Sequence, residues 1–477
     1  MRQLETFNSG IRSDFVAASL SCALSAGLAL SGFSAASLVI LVLAGLLATL
    51  LASNISGLIS LSSVFFAASL LYAVSGPLAV LAGTGLPDIF GADIAIEEFL
   101  FHASLGLLFT LLGYGLASRN ASSRTSLIGS GLVYPDRTLY QALLAGGVVG
   151  VVAFAMQLAN YSRIGGLAAL AEGKAYVQSE LSELVGDLPA EPLVYTATFF
   201  SGLGFALASQ CRLPQVVRIA LLCSLSGPLF AALSYLYIGR RIELVGIGLA
   251  FLCGRYFVKP SPTINLRAAV LFLCAYLSLT ALYGVRDILP DSVQTGDYSE
   301  IQERLGSGSY WGDIINPGAN EFGAPLGNYS AYLRNPHNEY LLGRSYLEGL
   351  SIPIPRLIWP EKPVSVIYQF RDDCFPAEKE RGAIAGTAFS SILEAYMNFG
   401  VTGIVVVYLL LGYWFGAFDV VAGRSTYWLP RLAQALLMPF AFTLPRSSFE
   451  APYFVPLIGI SATGLALLFV RNAGQRS

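Results

Sequence analysis

The sequence predicts an all-α polytopic membrane protein of about 12 transmembrane helices with one large loop outside the membrane that contains short helices. Three observations predict it. The 477 residues are 55% hydrophobic and only 12% charged, with 48 glycines, a composition outside the usual range of soluble domains. Apolar runs near the roughly 20 residues that cross a bilayer recur along the chain. Between the ninth and tenth runs, residues 286–391 are polar and rich in proline and aromatic side chains. Soluble-enzyme, structural and nucleic-acid-binding readings are excluded on these grounds.

The runs fall near residues 14–32, 35–53, 57–83, 99–118, 138–159, 193–211, 215–238, 242–258, 268–285, 392–418, 429–447 and 452–470. Only Gly32 to Ser34 separate the first two, and Gly76-Pro77 lies inside the third. The first run follows Arg2 and Arg12, has no cleavage pattern and leads straight into the second, so it is expected to stay as a span. The chain then divides into three parts. Residues 1–285 hold helices 1–9 with a short outside loop at 160–192, 286–391 form the large outside loop, and 392–477 hold helices 10–12.

Orientation follows from the basic residues of the short loops, which collect on the cytoplasmic face. With the N-terminus inside, that face receives Arg2, Arg12, Arg119, Arg124, Arg137, Arg212, Arg218, Arg255, Lys259, Arg267, Arg424, Arg431, Arg471 and Arg476, which is 14 of the 28 basic residues. Asp88, Asp93, Glu97 and Glu98 fall in an outside loop without a basic residue. Both termini are therefore expected in the cytoplasm. Five of the six cysteines lie in or beside apolar runs, leaving Cys374 in a polar segment, and the only histidines are His102 and His337. No disulfide framework, metal centre or cofactor is expected.

Five basic residues break the orientation rule by lying outside: Arg163, Lys174, Arg240, Arg241 and Arg446. Arg240 and Arg241 share the tight turn Tyr237 to Glu243. A guanidinium fork suits bidentate pairing with phosphate; pairing with ordinary lipid headgroups or with Glu243 is the plainer alternative. The spans themselves carry almost no ionisable side chain and no pair of broken helices in related halves, which speaks against a proton-coupled carrier.

The large loop changes character along its length. Residues 286–330 set Arg286 and Arg304 against seven acids, a net charge of −5, whereas 331–391 balance seven basic residues against seven acids. In Arg334-Asn335-Pro336-His337-Asn338-Glu339-Tyr340, Asn335 reads as an N-cap and Pro336 as a first helical residue. A helix is expected from there to about Gly349, with His337, Leu341, Arg344 and Glu348 on one face. Its N-terminus beside His337 and Arg334 would suit an anion; a surface helix with an Arg344 to Glu348 ion pair is the alternative. Next, Ile352 to Pro363 holds four prolines in twelve residues, which predicts an extended strap. It presents Arg356 and Lys362 with Trp359 between them, an arrangement suited to a sugar face joined to a phosphate or to lying along the membrane interface. Finally, Glu394 and Asn398 open the tenth span on one helix face. Glu394 could act as a general base, or Ser391-x-x-Glu394 could be a capping box.

The order of these motifs resembles a known family. Asn320-Glu321-Phe322-Gly323, the Pro-Arg-Leu-Ile-Trp-Pro-x-Lys-Pro core of Pro353 to Pro363, and Glu394-Ala395-Tyr396-x-Asn398-Phe399-Gly400-x-x-Gly403 are together similar to the Wzy-type O-antigen and oligosaccharide repeat-unit polymerases, most densely over about residues 316–403. Asn160 to Gly166 and the Gly239-Arg240-Arg241 turn look similar to weaker features of that family. Pro336-His337-Asn338 is also similar to the related O-antigen ligases.

The resemblance implies a metal-independent glycosyltransferase on the periplasmic face of a bacterial inner membrane. Its substrates would be undecaprenyl-pyrophosphate-linked oligosaccharide repeat units, its other partners membrane lipids and a chain-length regulator. On that reading Arg240, Arg241 and Arg356 bind pyrophosphate, with Arg163, Arg344 and Arg446 as second choices. His337 and Glu394 are base candidates, with Glu339 and Glu321 as alternatives, and Trp359, Lys362, Asn320, Glu321, Asn338 and Asn398 position sugar. Some polymerases of this type carry two similar basic outside loops. Here residues 160–192 set Arg163 and Lys174 against five acids, net −3, so a symmetric two-loop scheme is not expected. An O-antigen ligase and a lipid-linked glycan flippase are the competing readings.

Overall fold

The computed structural model describes residues 2–57, 59–91, 93–122, 137–163, 165–166, 190–238, 241–258, 285, 288, 292, 295–308, 310–311, 322–335, 339–351, 354, 359–376, 389–425, 427–449 and 454–475. Every regular element among them is helical. In chain order these are α1 (Arg2–Leu30), α2 (Ser34–Ser56), α3 (Leu61–Leu81), α4 (Ile96–Ser122), α5 (Arg137–Arg163), α6 (Ala190–Ala208), α7 (Gln215–Ile238), α8 (Arg241–Val258), α9 (Ser299–Gly306), α10 (Ala324–Arg334), α11 (Arg344–Gly349), α12 (Val366–Cys374), α13 (Ser391–Arg424), α14 (Trp428–Thr443) and α15 (Val455–Gln475).

Helices are what an apolar chain must form in lipid, because each backbone N–H and C=O needs a partner within its own segment. Eight of them are long and apolar enough to cross a membrane, in α1 to α5, α7, α13 and α15. The predicted spans at 193–211, 242–258 and 429–447 coincide with the shorter helices α6, α8 and α14. The run 268–285 lies outside the described residues apart from Val285.

The bundle has two halves. In one, α1 and α2 pack with α3 and α4, and α13 lies along α4. A Cβ on Gly412 would come within 2.0 Å of the Thr110 carbonyl oxygen, and one on Gly113 within 2.1 Å of that of Leu409. The two backbones thus touch where small residues allow it. In the other half α5, α6, α7 and α8 pack together with α15, and α14 joins the halves through α3 and α8. A separate apolar core forms at one end of the bundle, where Leu326, Tyr329 and Tyr332 of α10 and Val366 and Phe370 of α12 pack on Phe99 of α4 and on Leu393 and Met397 of α13. This loop-side core fastens the polar segments to the mouth of α13.

Arg334 completes that attachment. Its guanidinium donates to the backbone carbonyls of Asp93 and Phe90, tying the last turn of α10 to the loop before α4. Beneath it, the Tyr329 hydroxyl is bonded to His102 Nδ1. Burial raises the Tyr329 phenol and pushes that of Tyr332 up to about 12, so both stay protonated.

Candidate functional site

The site is built around α13, whose helical path is interrupted at Phe399 (φ −142°, ψ 17°) and Gly400 (φ 64°, ψ −148°). The break releases the carbonyls of Met397 and Asn398 from their intrahelical partners, and freed carbonyls at a helix end need other donors. A loop supplies them. Leu341 N–H donates to Met397 O at 2.9 Å and Leu342 N–H to Asn398 O at 3.0 Å. Gly343 N–H donates to the Asn398 side-chain oxygen at 2.9 Å. Leu342 is held there at φ 49°, a left-handed conformation that a bulky residue rarely adopts. Strain of this kind persists where its surroundings over-determine it, and here three hydrogen bonds do so.

Glu394 and Asn398 face this loop one helical turn apart, both with no exposed surface. Glu394 Oε1 accepts from the Ser345 hydroxyl at 2.7 Å, and Oε2 accepts from the Phe449 N–H at 2.8 Å. Asn398 Nδ2 donates to Ser345 Oγ and to Glu394 O, both at 2.8 Å. One buried carboxylate therefore fastens α11 to the turn that follows α14. That turn opens as a 3-10 helix, Leu444–Arg446, and ends at Phe449, whose ring meets Tyr346 of α11 at 5.6 Å. Arg344, Glu339 and the half-buried Arg446 are carried by the segments so joined.

Several sequence expectations are corrected here. Asn335 does not start a helix: it caps the C-terminus of α10, residues 339–341 are irregular, and the next helix begins only at Arg344. The reason is that the amides of Leu341 to Gly343 are spent on α13 instead of a local helix. The anion site expected at a helix N-terminus near Arg334 is replaced by a helix C-terminus, which carries the opposite partial charge, and by a guanidinium already donating to two carbonyls. Leu341 accordingly shares no helix face with Arg344 and Glu348, although the ion pair between those two is present at 2.6 Å.

The capping box also shifts. Ser390, not Ser391, caps α13 by accepting from Leu393 N–H at 3.1 Å, while Ser391 bonds the Tyr408 hydroxyl at 2.7 Å. Glu394 turns away from the cap to Ser345 and Phe449. The proline strap is not extended throughout: Lys362 N–H donates to Trp359 O at 3.2 Å across a turn with Pro360 inside it, a placement proline favours. Lys362 Nζ turns to the Ile354 carbonyl at 3.2 Å, and Trp359 is exposed.

Of the other predicted residues, Arg163 is exposed at the end of α5, in the half of the bundle formed by α5 to α8 and α15. His337, Asn338, Asn320, Glu321, Arg240 and Arg356, and the side chain of Arg241, lie outside the described residues. Sequence reasoning missed Ser345 and the Phe449 amide, which have no motif of their own. It also passed over the break at Gly400, for which an Asn-x-Gly inside an apolar run was an available signal.

Comparison with curated proteins and with solved structures returned no match. Residues 380–472 match the family model described as O-antigen polysaccharide polymerase Wzy. That segment supplies Glu394, Asn398, Gly400, Arg446 and Phe449, and over it the chain is similar to the Wzy polymerases that its motifs resemble.

Proposed function

We propose that this chain is a glycosyltransferase that polymerises undecaprenyl-pyrophosphate-linked oligosaccharide repeat units into O-antigen or a related surface polysaccharide. It would act on the periplasmic face of the inner membrane, with both termini cytoplasmic. The observation that carries the reading is the Glu394 clamp. Within the family-matched segment, a fully buried carboxylate gathers the polar loop and the Arg446 turn at the mouth of a membrane helix.

In the proposed reaction an acceptor sugar hydroxyl attacks the anomeric carbon of the lipid-linked donor. The new glycosidic C–O bond forms as the bond to pyrophosphate breaks, and the lipid pyrophosphate leaves with that electron pair. Cations placed where its charge develops lower the barrier; Arg344 and Arg446 are at the clamp, with Arg356, Arg240, Arg241 and Arg163 proposed to complete the set. The hydroxyl proton needs a base within reach. Glu394 has both oxygens engaged and no exposed surface, so we assign it positioning, with His337 and Glu339, of which Glu339 is exposed, as the base candidates. Trp359, Lys362, Asn338, Asn320 and Glu321 are proposed to contact sugar, and Asn398 to hold the loop that brings Glu339 in.

The test is purified protein with a defined undecaprenyl-pyrophosphate repeat unit and chelator, its products resolved by size. A ladder of repeats that Arg446→Ala and Arg344→Ala weaken supports a metal-independent polymerase. Transfer of preformed glycan to lipid A core without a ladder would make it a ligase, and movement of the substrate across liposomes without either product would make it a flippase.

A further inference from the structure

We propose that the apolar groove between α13 and α14 receives the polyisoprenoid chain of the lipid-linked substrate. The groove has a volume of about 380 Å³, within the roughly 300–1,000 Å³ of ligand clefts. Val407, Leu410, Leu411 and Trp414 of α13 and Phe440 of α14 form its walls, and none of the described residues lining it is charged. The cavity beneath α10, lined by Phe65, Tyr72, Phe99 and Tyr408, holds only about 20 Å³ and has no room for such a chain.

Two features select this occupant. The groove opens sideways, with Leu410 62% and Trp414 40% exposed on a membrane-spanning helix, so its ligand enters from lipid. Tyr346 and Phe449 complete its lining, and these are the residues positioned by the Glu394 clamp: Ser345 and the Phe449 amide are its two donors. The groove therefore ends at the site. Arg446 closes the turn leading to Phe449, and Arg344 opens the helix that carries Tyr346. An apolar slot with two guanidinium-bearing segments at its head is complementary to a long hydrocarbon chain ending in pyrophosphate. A bulk phospholipid chain would satisfy the walls but bring less charge to the head.

The inference rests on the proposed function only for the identity of the ligand. Its test uses the full chain in nanodiscs with an undecaprenyl pyrophosphate bearing a diazirine on the isoprenoid, labelled residues being mapped by mass spectrometry. Label is expected within residues 407–414. It should fall about tenfold when unlabelled undecaprenyl pyrophosphate is present at ten times its Kd, while the same amount of phosphatidylglycerol leaves it unchanged. Leu410→Trp, which fills the slot from its lipid side, should remove the label; Leu410→Ala should keep it. Absence of label at 407–414, or equal competition by phosphatidylglycerol, overturns the groove. Polymerisation measured on the same preparation separates the two readings. Labelling that only the pyrophosphate competes, without any ladder, would retain the groove and reject the polymerase, whereas a ladder without that label would reject the groove alone.

Discussion

Near one end of α13, Asp419 accepts the amides of Leu61 and Ser62 at 2.8 and 2.9 Å and the side-chain amide of Gln434 at 2.9 Å. Near the other, Glu394 accepts the Ser345 hydroxyl and the Phe449 amide. Both carboxylates are buried, and both satisfy backbone donors that would otherwise be orphaned in a low-dielectric interior. What they hold is different. Asp419 caps the N-terminus of α3 from a neighbouring helix, and its partners belong to bundle helices α3 and α14 that pack along their length. Glu394 holds a six-residue helix and an irregular turn, segments too short to have a core of their own. The same chemistry serves the fold at one end of the helix and the placement of loops at the other.

Removing each carboxylate should therefore break different properties. The largest effect is expected for Glu394→Ala. Its orphaned donors, the Ser345 hydroxyl and the Phe449 amide, are buried, so stability should fall by about 1–3 kcal/mol per group, while misplacement of the loop by about 1 Å slows polymerisation about 100-fold. The size-resolved ladder reports the rate. Asp419→Ala should cost stability without slowing the reaction. The amides of Leu61 and Ser62 have no other place to go, and at roughly 1–3 kcal/mol per orphaned group thermal unfolding in detergent should show a loss of about 3 kcal/mol. The folded fraction should keep its rate within about twofold.

A smaller effect should follow Gly400→Ala. The position has φ 64°, and a Cβ there would lie 2.8 Å from the Tyr340 hydroxyl. The cost of about 1–3 kcal/mol falls on the break that frees the Met397 and Asn398 carbonyls, so the rate should drop about tenfold. The smallest change tests whether the loop-side core survives loss of the clamp. Burial pushes the Cys374 thiol up to about 11, while the Asn335 side chain beside it pulls the other way. At pH 8 its thiolate should be about 100-fold scarcer than that of an unburied cysteine, and alkylation, which needs the thiolate, slow. Raising the pH by one unit should speed labelling about tenfold. Glu394→Ala should leave this profile unchanged, because Cys374 packs in the core around Phe370 and not at the clamp.

The membrane part of the fold was legible because lipid enforces long apolar runs, and helices stand at eleven of the twelve predicted spans. The polar loop was less so. Asn335 is chemically suited to either end of a helix, and nothing local indicates that the amides following it are taken by carbonyls of residues 397 and 398. Ser391-x-x-Glu394 has the letters of a capping box, yet the adjacent Ser390 caps the helix and the carboxylate points elsewhere. Glu394 and Asn398 stood out as polar residues at the start of an apolar helix. Their partners did not, since a single serine and a main-chain amide leave no pattern in sequence. The bond between His102 and Tyr329 joins helices 227 positions apart and was equally hidden.

The bond between Ser345 and Glu394 is what joins the polar loop to the buried carboxylate. A double-mutant cycle of Ser345→Ala and Glu394→Ala, read as polymerisation rate, measures whether the two act as one unit. Coupling is expected: once Glu394 is changed, losing the Ser345 hydroxyl should slow the enzyme much less than it does in the unsubstituted chain, the remainder reflecting its bond to Asn398. Effects that multiply, as for independent sites, would contradict this coupling.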